Sequence, residues 1–242
     1  MRRLLEYALL AAALIFADRV ANAGELHVPT NATAGSEATI STSGSGSATF
    51  YLFGPGTAVK RSIQLGSDVH LSAKDLQYSG SYTAVLGGEN AAATFYVSPG
   101  KAADLAFLAR PSRVPASTRQ VISGTAFVFD ANHNLVTQPT NVNFSLGVNG
   151  GKAEARSVKT KDGVAYVILD SERQAGPAQF TSSLDDTNVR RVVQVVASDP
   201  CNLRMSAKPA KNAILVETEP IRDCAGNPVP DGTIVTFTEV DN

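Results

Sequence analysis

Residues able to do chemistry are few and scattered in this 242-residue chain. Its three histidines, His27, His70 and His133, have no partner at the short spacings that a zinc site needs. His133 does sit inside Asp130-x-Asn132-x-Asn134, which begins like a calcium loop. Leu135 stands at the sixth position instead of Gly, and Asn141 at the twelfth instead of Glu, so the sharp turn and the bidentate carboxylate are both missing. Asp and Asn at such spacing more often form turns through side-chain bonds to nearby backbone, while Asp185, Asp186 and Asp199 leave oxygen donors for calcium at a junction open. No G-x-S-x-G elbow is present. The Gly-rich residues 43–47 and Gly54-Pro55-Gly56 lack the Lys-Ser/Thr ending of a phosphate loop and read as hairpin loops. Carboxylates are too evenly spread to nominate an acid and base. The sequence thus offers no catalytic residue, no cofactor-binding residue and no metal ligands, and it reads as non-catalytic.

The two cysteines, Cys201 and Cys224, are the exception, and their chemistry depends on compartment. Arg2 and Arg3 are followed by an apolar run from Ala8 to Ala17 and then by Ala21-Asn22-Ala23, the order of a secretory signal with cleavage before Gly24. Ten apolar residues at ~1.5 Å each give about 15 Å, half of the ~30 Å a membrane span requires. Residue 24 is Gly and not the Cys of a lipoprotein, and no later stretch is long and apolar enough to span a membrane. In an oxidising compartment Cys201 and Cys224 can pair, closing a loop worth roughly 3 kcal/mol. An even count and turn-flanked positions favour that bridge over two free thiols.

The elements that must position these residues are strands. Charged residues make up only 18% of the chain, Trp is absent and the net charge is -1, so no basic stripe suggests nucleic acid. From 24 to 100 short β-prone runs alternate with Gly, Ser and Pro punctuation, which predicts about seven strands in a sandwich. Thr49, Tyr51 and Phe53 alternate with Phe50 and Leu52, and Tyr82, Ala84 and Leu86 share one face. The run Tyr78-Ser79-Gly80-Ser81-Tyr82-Thr83-Ala84 resembles the D-x-G-x-Y-x-C signature of immunoglobulin domains, with Tyr82 at the corner tyrosine. Tyr78 replaces the Asp and Ala84 the second Cys.

A second segment, 101–199, partly recurs downstream. Residues 130–145 match 223–238 without a gap, since 223 less 130 and 237 less 144 both give 93. Asp130, Asn134, Val142 and Phe144 meet Asp223, Asn227, Val235 and Phe237. Upstream, Leu105, Ala109, Arg110 and Pro111 match Leu203, Ala207, Lys208 and Pro209 at an offset of 98, so the second copy has a shorter early connection. The pattern reads as a strand, a D-x-x-x-N turn, a Val-Pro element and a returning Val-x-Phe strand.

The run over 223–238, with Gly226, Asn227, Pro228, Val229, Gly232, Val235 and Phe237, resembles the bacterial immunoglobulin-like domain of the invasin and intimin group (Big-1 domain). Gly150-Gly151-Lys152-Ala153, residues 160–167 and Gly176-Pro177-Ala178 resemble later strands of that domain. The resemblance implies an all-β chain of tandem immunoglobulin-like β-sandwiches, the last incomplete: a signal peptide over 1–23, modules over 24–100 and 101–199, and the first half of another over 200–242. Counterparts of 150–199 are missing from that half, which reads as a fragment of a longer protein or as a module completed by a partner strand. Pro99-Gly100 and Asp199-Pro200 would be stiff joints. The implied function is an exported spacer or adhesive stalk at the cell surface, outside the cell or in the periplasm, meeting an unknown protein or carbohydrate ligand. An accessory region of a larger exported enzyme or transport-associated protein is the alternative.

Overall fold

The computed structural model describes residues 24–88, 91–148, 154–238 and 240. The secretory signal over 1–23 and the Gly150-Gly151-Lys152-Ala153 stretch lie outside the described residues. Regular structure among the described residues consists of strands alone, grouped into two compact units: Met1–Lys101 with Asp130–Asn134, and Ala102–Phe129 with Leu135–Asn242.

In the first unit, period-2 alternation decides which side chains face inward. Phe50 and Leu52 on β4 (Ser47–Gly54) and Tyr82, Ala84 and Leu86 on β7 (Gly80–Gly87) are fully buried, while Tyr51 and Phe53 face out and stack on each other. A three-stranded sheet joins β1 (Leu26–His27), β3 (Ala38–Thr42) and β6 (Asp68–Leu71), in that order. The five-stranded sheet adds β2 (Ala32–Thr33), β5 (Thr57–Gln64) and β8 (Ala91–Ser98), in the order β2-β8-β7-β4-β5. The first edge splits into β1 and β2, one strand for each sheet, which raises the expected seven strands to eight. Gly54-Pro55-Gly56 does turn a hairpin between β4 and β5. Residues 43–47, in contrast, are not a hairpin loop: they connect β3 to β4, which belong to different sheets, so they cross the sandwich edge. A Ser-Gly run permits either path, and sheet membership is set by pairing at a distance in sequence.

The second unit repeats this topology. Its smaller sheet holds β9 (Ala102–Arg110), β11 (Ile122–Asp130) and β14 (Val164–Leu169), ordered β14-β11-β9. Its larger sheet holds β10 (Arg113–Pro115), β12 (Asn141–Val148), β13 (Glu154–Lys159), β15 (Gly176–Leu184) and β16 (Thr187–Val196), ordered β10-β16-β15-β12-β13. Each larger sheet thus has one short parallel edge pair, β2 on β8 and β10 on β16. Phe107, Phe144 and Phe180 form its core, with Phe107 and Phe180 edge to face at 4.9 Å. Gly124 makes room for them, since a Cβ there would lie 2.5 Å from Phe180 Cζ.

Beyond β16, β17 (Met205–Ala210) and β18 (Ala213–Thr218) pair as a hairpin closed by Lys211 and Asn212. The shortened connection seen in the repeat offsets leaves no room for a counterpart of β10. The Val-x-Phe strand expected around Val235 and Phe237 does not form: residues 233–238 are irregular, with Phe237 50% exposed. The matching strand, β12, is held between β13 and β15, and among the described residues of 200–242 no strand stands in the place of either. Without ladder partners an alternating apolar sequence has nothing to pair with.

Candidate functional site

Both D-x-x-x-N sequences, 130–134 and 223–227, form the same tight turn. In the first unit, Asp130 and Asn134 are buried. Asp130 Oδ1 accepts the backbone N–H of Asn132 at 2.9 Å and of Asn134 at 2.8 Å. Its Oδ2 accepts the N–H of Gly100 at 2.7 Å and the Asn134 amide at 2.9 Å. The Asn134 side chain then clasps a loop just before β7: Nδ2 donates to the Gln77 carbonyl at 3.0 Å, and Oδ1 accepts the Ser79 N–H at 2.9 Å.

The second unit reproduces this set bond for bond. Asp223 Oδ1 accepts the N–H of Ala225 at 2.9 Å and of Asn227 at 2.8 Å. Its Oδ2 accepts the Ser198 N–H at 3.0 Å and the Asn227 amide at 2.8 Å. Asn227 Nδ2 donates to the Arg173 carbonyl at 2.7 Å, and Oδ1 accepts the Ala175 N–H at 2.8 Å, just before β15. In both clasps one amide reads a carbonyl and the N–H two residues on, the pairing a neighbouring strand would offer. Three of the four donors named for each carboxylate are backbone N–H groups.

Electrostatics follow from this geometry. Burial alone pushes the Asp223 carboxyl up, but bonds from the Asn227 amide and from the N–H groups of Ser198, Asn227 and Ala225 overcome it and hold the carboxyl at about 2. Burial likewise pushes the Asp130 carboxyl up, and bonds from the Asn134 amide and from the N–H groups of Gly100, Asn134 and Asn132 overcome it and hold the carboxyl below its ordinary range. Such a carboxylate has its lone pairs engaged by N–H donors, so it is committed to holding backbone. Among the described residues no group of three or more His, Cys, Asp or Glu could hold a metal ion.

No known sequence family matches this chain, and no curated protein does either. Solved structures do. An Escherichia coli adhesin, FdeC, superposes with a TM-score of 0.56 at 16% identity, over 87% of this chain and 76% of its own. The fold is that of tandem immunoglobulin-like β-sandwiches. InvD of Yersinia pseudotuberculosis is similar over 85% of this chain and 72% of its own, with a TM-score of 0.50 at 15% identity. The chain spans only 25% of a β-glycosidase from Bacteroides vulgatus, with a TM-score of 0.36 at 14% identity.

Within this immunoglobulin-like frame the other singled-out residues are separate from one another. Tyr82 is fully buried, stacks on Phe95 at 5.7 Å and donates its hydroxyl to the Tyr78 carbonyl at 2.9 Å. Gly54 permits this, because a Cβ there would run into the Tyr82 ring. Gly232 has a φ of +86° in an exposed turn, where Gly adopts the left-handed region without strain. Cys201 and Cys224 form a disulfide with their Cα atoms 4.9 Å apart. The bond ties the start of the third segment to the 223–227 turn, beside the Cys201 N–H to Arg222 carbonyl bond of 2.9 Å. What the sequence did not disclose is the far half of each clasp. Gln77, Ser79, Arg173 and Ala175 contribute only main-chain atoms there, so no side-chain pattern marks them; the signal available is the offset of 96 shared by both pairs.

Proposed function

We propose that this chain is an exported, non-catalytic protein whose immunoglobulin-like modules act as a spacer or adhesive stalk at the cell surface. The observation that carries this reading is the duplicated Asp-Asn clasp. Its carboxylates and amides are spent on holding main chain, the use expected of a structural part and not of a reaction centre. The likeness of fold to FdeC, an adhesin, supports the same reading. Loops gathered at the ends of sandwiches give such a protein variable contact surfaces on a rigid scaffold.

The test is adherence. Bacteria displaying the protein are expected to bind host cells or an extracellular-matrix layer more strongly than bacteria lacking it, and the exported form is expected to begin at Gly24. Retention of the chain in the cytoplasm, or equal adherence by both strains on every layer, would overturn the proposal.

A further inference from the structure

Beside the second clasp lies a cavity of about 420 Å³. It is lined by the loop between β10 and β11, the loop between β14 and β15, and the turn that carries Cys224. Arg119 and Arg173 both contribute to it, and among the described residues neither guanidinium group has a hydrogen-bond or ion-pair partner. Around them stand the hydroxyls of Ser117, Thr118 and Ser198 and the carboxylate of Asp170.

The loop that presents Arg119 is held in a conformation that costs energy. Ser117 has a φ of +58° and Gln120 a φ of +49°, in the left-handed region that residues with a Cβ avoid. Hydrogen bonds from both sides keep it there. Ser117 N–H donates to the Glu172 carbonyl at 3.0 Å. Thr118 N–H donates to Ser171 Oγ at 2.8 Å, and Gln120 N–H to Asp170 at 2.8 Å. Strain that neighbouring structure over-determines is a mark of a functional loop. The arrangement is also not a general property of the clasp. In the first unit the matching connection runs only over 34–37, and the residue matching Arg173 is Gln77.

We propose that this cavity is a binding site for an acidic saccharide. Guanidinium groups bind carboxylates in pairs of parallel bonds, and two unpaired ones supply the net positive charge. The hydroxyls and Asp170 match a ring of sugar hydroxyls. Pockets for small ligands span roughly 300–1,000 Å³, so about one or two sugar rings fit. A protein partner would instead seek a buried aromatic or aliphatic anchor, and the side chains named here provide none. The inference names a ligand class for the adhesive reading and rests on that reading only for where the ligand is met.

Titration of the purified exported protein with a hyaluronan tetrasaccharide, which alternates glucuronate and N-acetylglucosamine, is expected to saturate. Chitotetraose, its neutral counterpart, should bind at least about tenfold more weakly. Arg119→Ala and Arg173→Ala should each weaken the hyaluronan fragment by about tenfold, and the double variant should abolish saturation. Both side chains are exposed, so the fold is spared, and Arg119→Lys should restore only part of the binding because an ammonium lacks the planar fork. Equal binding of the two saccharides, indifference to the arginine substitutions, or competition by inorganic sulfate as strong as by the saccharide would each overturn the assignment. Because the titration uses purified protein, its failure is separable from a failure of adherence; a double variant that loses the saccharide but still adheres would leave the adhesive reading standing.

Discussion

Asp223 stores its contribution in a carboxylate that has lost water and gained N–H donors. Its pKa falls from the ordinary 3.8 to about 2 on folding, so the folded state binds a proton less readily than the unfolded chain. The stability it supplies is therefore complete above the ordinary value and is lost as pH falls through the interval from 3.8 to about 2. Urea midpoints measured across that interval should drop in the wild type. Asp223→Asn should be less stable at neutral pH and show a flatter acid limb; an unchanged limb would contradict the clasp. This turn was legible in the sequence as a repeated Asp and Asn, because those side chains do the work themselves. His133, at the place of Gly226, also takes a left-handed φ, +61° against +93°, so the fold demands the conformation of whichever residue stands there. His133 in one copy and Gly226 in the other thus share one geometry under different residue types.

The elements bear out the alternation rule where strands have neighbours and depart from it where they lack them. Phe144 on β12 is buried between β13 and β15, whereas its counterpart Phe237 is half exposed in irregular chain. The pattern was readable in both copies, as was the want of counterparts of 150–199; that residues 233–238 then stay irregular is what the three-dimensional structure adds. The β17–β18 hairpin leaves Met205 and Ile214 largely exposed, and the disulfide ties the chain leading into it to the 223–227 turn. Closing a loop of that size is worth roughly 3 kcal/mol in the chain-entropy view. Reduction should raise amide hydrogen exchange over 200–238 and leave β9 to β16 unchanged. Protection that stays the same on reduction would remove the disulfide from any stabilising role.

At the scale of the whole molecule the described residues form two apolar cores, one built around Phe50 and Tyr82 and the other around Phe107, Phe144 and Phe180. Each contains a glycine whose Cβ would collide with a buried ring, Gly54 against Tyr82 and Gly124 against Phe180. Overpacking of this kind costs on the order of 1–3 kcal/mol. Gly54→Ala should lower the melting of the first unit alone, and Gly124→Ala that of the second alone, as followed by residue-resolved hydrogen exchange. A single transition shifted equally by both would argue that the cores melt as one. The all-β class and the repeat were legible from periodicity and offsets, while the identical strand order of the two units was not, because the first has so little sequence in common with the second.

The clasp asks nothing of the side chains it holds. Gln77 and Ser79 in one place, Arg173 and Ala175 in the other, offer the same carbonyl and the same N–H. A fastening that reads only the peptide group is indifferent to its mate's composition. The held loop can change every side chain it carries, as Gln77 and Ser79 differ from Arg173 and Ala175, without any compensating change in the Asp-Asn turn.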